Sequence, residues 1–304
     1  MMTVEVRSES RRLNATTGPY AILFAGVVFS FGPLAFRGKS DESDEWQFLF
    51  YRSSSLIIAM TIALVVSHRS GAIAALRRGL LKNLLGGALM AGMLTSFIVA
   101  IARIDAATTL LLQSLAPFSA ALLGWMLLRE KVDVHTWVAM VLAVVGVLVI
   151  GSSWDTSDTV GIIVACVIPV LLGIYTVLLR DSSDRDAMAL VFFAGIFGTV
   201  ASLFVTGGDV AVSFNDASMG VISGGVILGS ALPLFNAAGK HVPAARTTLL
   251  LLTEIVLAPL WVWMFVDETP SASTLIGGAV ILGALVWLAT HPGKQELAFT
   301  RATA

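Results

Sequence analysis

The sequence predicts an all-α integral membrane protein in which ten transmembrane helices form a 5+5 inverted repeat. Four observations lead to this fold class. Hydrophobic residues make up 57% of the chain and charged residues only 13%, whereas soluble domains carry about 25% charged residues. The charges are collected between long apolar runs, which gives a mean hydropathy of +0.87. Lysine and arginine are distributed unequally between alternate loops, and the two halves of the chain share a sequence pattern.

Ten apolar stretches have the length of membrane-spanning helices, which need about 20 residues. We place the spans at 19–36, 47–67, 82–101, 106–127, 134–151, 160–179, 187–206, 217–238, 245–266 and 273–290. The linkers between them are short and polar, so no soluble domain is expected. The predicted organisation is a tail of residues 1–18, a first repeat of residues 19–151, a second repeat of residues 152–290, and a tail of residues 291–304.

The orientation follows from the basic residues, because cytoplasmic loops of membrane proteins carry an excess of lysine and arginine. With the N-terminus inside, fifteen of the 19 lysine and arginine residues lie on the inner side and four on the outer side. The four outer residues are Arg37, Lys39, Arg52 and Arg103. We therefore predict a multi-pass protein of the cell (plasma or inner) membrane with both termini in the cytoplasm.

An internal repeat appears when the chain is shifted by 138 positions, the difference between 268 and 130. Matches of leucine and alanine are common in any membrane protein, but the pattern WMxxxE occurs at Trp125–Glu130 and again at Trp263–Glu268. The shift is close to half the chain, so each half contains five spans. Five is an odd number, so the halves have opposite orientations. Inverted repeats are typical of transporters that alternate access to a site near the bilayer midplane.

Two segments carry a resemblance to a known family. They are LLQSLAPFSAALLGWMLLREKVDVHTWVAMVLAVVGVLVI (residues 111–150) and LLTEIVLAPLWVWMFVDETPSASTLIGGAVILGALVWLA (residues 251–289), and the FYRSSS segment around Arg52 adds to them. Together they resemble the drug/metabolite transporter superfamily, EamA type, over essentially the whole chain. The resemblance implies ten helices in a 5+5 inverted repeat and export or exchange of small metabolites. It does not identify a substrate.

Glu254 is the first candidate functional residue, because it interrupts the ninth span near its middle. A charged side chain at that depth costs about 2.5–3.5 kcal/mol, and acids in such positions commonly have a function. We interpret Glu254 as a group that couples proton movement to substrate movement, or that binds a cationic group of the substrate. The alternative is a protonated side chain that only bonds to a neighbouring helix. The resemblance favours the first interpretation, since the family often has an acid in this span.

Arg52 lies about one turn inside the predicted outer end of the second span. It could attract an anionic group of a substrate or pair with an acid. The alternative is that its long side chain extends to the outer lipid headgroups.

The fourth span provides three further candidates, Gln113, Ser114 and Pro117. Proline removes a backbone hydrogen bond and frees a carbonyl group, and broken helices near the midplane are common at transport sites. Other spans contribute polar and aromatic side chains that could line the same cavity. These are Phe29, Ser30, Tyr175, Ser230 and Asn236. The alternative for the serine and asparagine residues is hydrogen bonding between helices.

Several other residues are interpreted as structural. Trp261 and Trp263 could gate or stack on a substrate, but a lipid-facing or interfacial position is favoured for both, and Cys166 is expected in the core. Pairs of small residues predict close helix contacts, with a homodimer face left open for each pair. The pairs are Gly220/Gly224, Gly225/Gly229 and Ala279/Gly283.

These patterns favour a secondary transporter that exports or exchanges an amino acid or a similar small solute, with proton coupling through Glu254 left open. The expected partners are a small-molecule substrate and the lipid bilayer. The alternatives are an intramembrane enzyme and a receptor or scaffold without transport. An enzyme needs paired acids or a Ser/His arrangement within the spans, and the sequence has neither there. We expect no cofactor, metal or nucleic-acid partner.

Overall fold

The computed structural model describes residues 17–128, 134–151, 158–180, 187–239, 250–267 and 269–290. The described residues form helices joined by short turns, and no strand occurs among them. The prediction of an all-α membrane protein is therefore confirmed. Residues 1–16 and 291–304, which include most of the predicted tails, lie outside the described residues, as do Glu130 and Glu268 of the WMxxxE pattern.

The first half of the chain contains five spans, two of which are divided into two helices. They are α1a (Gly18–Phe29), α1b (Gly32–Arg37), α2 (Glu45–His68), α3 (Leu80–Arg103), α4a (Ala106–Gln113), α4b (Ala116–Leu128) and α5 (Val134–Gly151). A single 3-10 turn (Arg69–Gly71) and a short helix (Ala72–Arg77) connect α2 to α3.

The second half also contains five spans, and one of them changes its winding. They are α6 (Thr159–Arg180), α7 (Ala187–Val205), α8a (Phe214–Val221), a π-helical segment α8π (Ile222–Leu228), α8b (Gly229–Gly239), α9 (Leu252–Val266) and α10 (Ala272–Thr290). Within the described ranges, five helices are long and apolar enough to cross a membrane, and four shorter helices are apolar.

Polar side chains fix where several helices begin on the predicted outer side. Asp44 caps α2, because its carboxylate accepts hydrogen bonds from the amides of Trp46 (2.8 Å) and Gln47 (2.7 Å). Asp105 caps α4a by accepting a hydrogen bond from the Thr108 amide at 2.8 Å. Such caps satisfy amide groups that have no partner within the helix. The apolar sequence after each cap then continues as a helix through the bundle.

The helix packing has the symmetry of an inverted repeat. Helices α2 and α7 pack against each other, and so do α5 and α10. The contact of α3 with α6 is matched by that of α8 with α1, and the contact of α3 with α7 by that of α8 with α2. The contact of α4 with α6 is likewise matched by that of α9 with α1. Exchanging each helix with the one five places along the chain therefore leaves this pattern of contacts unchanged.

Two glycine pairs show the same symmetry at the level of residues. Gly86–Gly87 in α3 and Gly224–Gly225 in α8π are separated by the same 138 positions as the WMxxxE patterns. A Cβ atom built on Gly87 would lie 2.7 Å from Cβ of Phe193 and 3.2 Å from the carbonyl oxygen of Leu190, both in α7. The glycine is therefore required for the close crossing of α3 and α7.

The second pair makes the equivalent crossing with α2. A Cβ atom built on Gly225 would lie 3.4 Å from Cβ of Ser55, and one built on Gly224 would overlap the carbonyl oxygen of Arg52. Ser55 and Arg52 precede Phe193 and Leu190 by 138 positions. The same sequence positions thus form the same helix crossing in both halves, although α8 is π-helical at this point and α3 is not.

The predictions for small residues have mixed outcomes. Gly220 and Gly229 also face α2, since added Cβ atoms would lie 2.7 Å from Cβ of Tyr51 and 2.9 Å from Cβ of Ala59. The packing interpretation is therefore confirmed for both pairs in α8. It is wrong for α10, because a Cβ atom on Gly283 would have nothing within 4 Å, and Ala279 is exposed.

Helix α10 instead contacts α5 through a different set of residues. A Cβ atom on Gly146 of α5 would lie 2.6 Å from Cγ1 of Ile281 and 2.8 Å from the carbonyl oxygen of Gly277. Cys166 is a second correction, because it is exposed on α6 and not in the core. Every face of these helices is apolar, so apolar character alone does not separate the packed face from the exposed face.

Candidate functional site

Arg52 points into the helix bundle. Only 4% of the residue is exposed, and its Nη1 donates a hydrogen bond to the carbonyl oxygen of Leu94 in α3 at 3.1 Å. The alternative in which this side chain extends to the lipid headgroups is therefore wrong. Its Nε has no hydrogen-bond acceptor among the described residues.

A small cavity lies beside Arg52, between α2, α3, α7 and α8. Its polar lining residues are Arg52, Ser53 and Thr95, and apolar residues form the rest. The lining residues are Arg52, Ser53, Leu56, Ala91, Leu94, Thr95, Ala194, Gly198 and Leu228. Ser53 and Thr95 were not among the predicted site residues. Ser53 directly follows Arg52 in the sequence, which is the one signal that could have identified it.

Glu254 lies in the first turn of α9, where the helix begins after Leu251. The residue is 8% exposed, and its amide donates to the carbonyl oxygen of Leu251 at 2.9 Å. Gly26 of α1a packs beside it, and a Cβ atom there would lie at ordinary contact distance, 3.5 Å from Cβ of Thr253 and 3.7 Å from the Glu254 amide nitrogen. The positive end of the α9 dipole also favours a carboxylate in this position.

Arg52 and Glu254 are opposite charges from different halves of the molecule, and they interact electrostatically within the bundle. Among the described residues, no ion pair within 4.0 Å joins them. The two side chains therefore act on each other through the protein interior, where charges are screened less than in water.

Neither charge has a counterpart in the other repeat. The positions that correspond to Arg52 and Glu254 by the 138-residue shift are Leu190 and Ala116. Both are buried, with exposures of 2% and 3%. At each pair of matching positions, one half of the molecule therefore has an apolar side chain and the other half a charged one. Helix packing alone does not require a charged residue at position 52 or 254.

The fourth span is broken as predicted. Helix α4a ends at Gln113 and α4b begins at Ala116, so Ser114 and Leu115 lie between them. Ser114 is buried and its hydroxyl donates to the carbonyl oxygen of Leu111 at 2.6 Å. Gln113 is partly buried. Pro117 lies in the first turn of α4b, and its side chain is outside the part of the chain that the structure describes.

Tyr175 and Asn236 form a buried hydrogen bond between α6 and α8b. The Tyr175 hydroxyl donates to Oδ1 of Asn236 at 2.8 Å, and Nδ2 of Asn236 has no acceptor within the described residues. On the neighbouring side of α8b, the ring of Phe29 contacts Phe235 edge to face, with 6.3 Å between the ring centres. These contacts connect α1, α6 and α8b near the predicted cytoplasmic ends of α6 and α8b.

Ser30 lies at the break between α1a and α1b and connects it to α9. Its hydroxyl accepts a hydrogen bond from the Trp261 indole at 2.9 Å and donates to the carbonyl oxygen of Val27 at 2.6 Å. Phe31 stacks on Trp261 with 5.4 Å between ring centres. Trp261 therefore packs against α1, and its predicted lipid-facing position is wrong. Trp263 is 52% exposed, as expected.

Ser230 does not join these residues. It lies on an exposed face of α8b, and its hydroxyl donates to the carbonyl oxygen of Val226 at 2.6 Å. The prediction that Ser230 and Asn236 line one cavity is therefore wrong, because the helix places Ser230 outward and Asn236 inward.

Comparison of the sequence with known protein families gives a result that agrees with the described helices, the matching halves and the buried charges. The sequence profile of the EamA-like transporter family matches residues 16–152 and 159–290. The chain belongs to the EamA-like transporter family. It is therefore a multi-pass membrane transporter and not an enzyme.

Individual relatives of this EamA-like transporter are also transporters by name. The chain is 24% identical over 275 residues to the pseudopaline exporter CntI from two strains of Pseudomonas aeruginosa, covering 90% of this chain and 95% of the relative. It is 29% identical over 196 residues to an uncharacterized transporter of Archaeoglobus fulgidus, covering 63% and 70%. A solved crystal structure has the same fold, with a TM-score of 0.67 at 17% identity over 91% of this chain and 98% of the other.

Proposed function

We propose that the protein is a secondary active transporter that exports or exchanges a small polar or amphipathic metabolite, such as an amino acid, by alternating access. The observation that carries this proposal is the buried carboxyl group of Glu254 at the start of α9, in a position where the other repeat has Ala116. The similarity to a protein named as an exporter supports the outward direction.

Glu254 provides the coupling in this proposal. A carboxyl group in the bundle interior can hold a proton when water is excluded and release it when its side of the bundle opens. The same carboxylate can instead take a cationic group of the substrate. The electrostatic interaction with Arg52 supports either role, because a proton or a substrate group bound to one of the two side chains changes the electrostatic energy of the charge on the other.

Helix breaks around the site support the movement that alternating access needs. Span one is interrupted at Ser30 and span four at Ser114, and helix α9 begins at Leu252. In α8 the π-helical segment adds a further irregularity, and such segments are frequent at functional sites. In a helix that is broken near the midplane, one segment can rotate with its part of the bundle while the other segment keeps its position.

The test is proton-coupled transport in proteoliposomes. Wild-type protein, Glu254→Gln and Glu254→Ala would be reconstituted with an internal pH-sensitive dye and a radiolabelled amino-acid mixture. We expect the wild type to move label faster under an imposed pH gradient, and both variants to lose the dependence on the gradient. Glu254→Ala copies the residue at the matching position, so it should still fold.

The control is Glu45→Gln, since Glu45 pairs with Arg103 at 3.4 Å at the end of the bundle and has no predicted coupling role. This control should behave as the wild type. If the Glu254 variants transport at the wild-type rate and respond to the pH gradient in the same way, Glu254 has no role in coupling.

A further inference from the structure

We propose that Arg52 and the cavity beside it form the binding site for a carboxylate group of the transported molecule. This inference rests on the proposed function, because it assigns a substrate class to the same bundle interior. It is distinct from the role of Glu254, which concerns protons or cationic groups.

The first observation is an unsatisfied buried donor. The guanidinium group of arginine carries five N–H donors, and the Arg52 residue is only 4% exposed. Nη1 uses one donor on the carbonyl oxygen of Leu94, whereas Nε has no acceptor among the described residues. A buried charge without full hydrogen bonding is unfavourable, so the site gains from an anion that approaches the remaining donors.

The second observation is the chemistry of the cavity. Ser53 and Thr95 line it together with Arg52. Neither hydroxyl forms a hydrogen bond to another described residue, so both are available to a ligand. Two hydroxyl donors beside a planar guanidinium group suit a carboxylate, which arginine binds through two parallel hydrogen bonds. The apolar remainder of the lining excludes water and strengthens such bonds.

The third observation is that the fold does not need this charge. Leu190 occupies the matching position of the second repeat and is buried to a similar degree, at 2% exposure. Gly87 packs on the Leu190 backbone as Gly224 packs on that of Arg52. An arginine that only stabilised this crossing would be replaceable by leucine, so its presence on one side points to a ligand.

The position of Glu254 narrows the substrate class. A carboxylate at Arg52 lies within electrostatic range of a second, acidic group in the same bundle. A molecule with both a carboxylate and an ammonium group would satisfy both residues, with the carboxylate on Arg52. The opposite charges of Arg52 and Glu254 thus favour amino acids and related zwitterions over simple amines.

The experiment compares ligands that differ only in the carboxylate. Purified wild-type protein in detergent would be titrated with a mixture of amino acids, with the matching decarboxylated amines, and with the matching deaminated acids, and thermal unfolding followed. The variants are Arg52→Leu, which copies Leu190, and Arg52→Lys, which keeps the charge without the planar fork. Arg103→Leu removes an arginine outside the cavity and serves as the control.

We expect the amino acids to stabilise the wild type and the Arg103→Leu control alike. The Arg52→Leu variant should require an amino-acid concentration about 10- to 100-fold higher for the same stabilisation. Any stabilisation by the amines should be the same in the wild type and in the Arg52 variants. If Arg52→Leu does not fold, Arg52→Lys gives the same comparison with a smaller loss.

Equal responses to amines and amino acids, unchanged binding by the Arg52 variants, or no response to either carboxylate-containing mixture would overturn the carboxylate site. The proton-coupling assay on Glu254 is scored separately with the pH-sensitive dye. A protein that still moves protons with an amine would retain the proposed transport function and lose only the carboxylate site.

Discussion

Arg52 and Glu254 are ionisable side chains buried in a bundle whose core consists mainly of apolar side chains. Removing one partner from a buried pair of charges leaves the other uncompensated, which commonly costs several kcal/mol. At 4% and 8% exposure, respectively, these two residues have little contact with solvent. Among the described residues, the two side chains do not form a direct ion pair within 4.0 Å.

Trp261 is the residue that joins α9 to the break in α1. Trp261→Phe removes the hydrogen bond to Ser30 and keeps an aromatic ring to stack on Phe31, so we expect a loss of about 1 kcal/mol in stability. Thermal unfolding in detergent measures this change. Trp263→Phe, on the exposed face of the same helix, should leave the unfolding temperature unchanged. An equal effect of both substitutions would show that the bond to Ser30 contributes nothing.

At the scale of single helices, glycine decides how closely α8 and α2 approach. Gly224→Ala would force its methyl group into the Arg52 carbonyl group. We expect a loss of about 1–3 kcal/mol, or failure to fold, as is typical for overpacking. The measurement is thermal unfolding together with the yield of monodisperse protein.

The matched control is Gly283→Ala in α10, where the added methyl group meets nothing within 4 Å. Alanine has the higher helix propensity, so this control should be neutral or slightly stabilising. A neutral Gly224→Ala variant would mean that the π-helical segment shifts easily and that the close crossing is not a fixed feature.

The helix breaks were predictable only in part from proline. Pro117 lies just after the break in α4, as expected from its missing N–H group. Pro169, Pro233 and Pro259 lie inside continuous helices. Whether a freed carbonyl opens a helix depends on the neighbouring helix that can satisfy it, and that neighbour is not visible in the local sequence.

At the scale of the whole molecule, the inverted repeat was predictable from two observations that agree. The two WMxxxE patterns are 138 positions apart, and this shift divides the ten predicted spans into two sets of five. The faces of individual helices were not. Ser230, Cys166, Trp261 and Gly283 were each assigned to the wrong surroundings. Lipid tails and the protein core are equally apolar, so burial in the bundle leaves no hydrophobic signal in the sequence.

The predicted orientation can be tested on the whole protein in cells. In a Cys166→Ala background, Asp41→Cys lies in the α1b–α2 turn and Arg77→Cys in the α2–α3 connection, and both positions are exposed. We expect a membrane-impermeant maleimide to label position 41 in intact cells and position 77 only after permeabilisation. The reverse pattern would place both termini outside, against the distribution of lysine and arginine.

Arg52 and Glu254 each occur in only one of the two repeats, and this affects the relative energies of the inward-open and outward-open arrangements. If the two repeats were identical in sequence, the proposed inward-open and outward-open arrangements would be related by a two-fold axis in the membrane plane, and neither would be preferred in a symmetric bilayer. Leu190 opposite Arg52 and Ala116 opposite Glu254 remove that degeneracy. In the proposed alternating-access mechanism, the empty carrier would therefore favour one of the two open arrangements, to an extent set by the charges on Arg52 and Glu254.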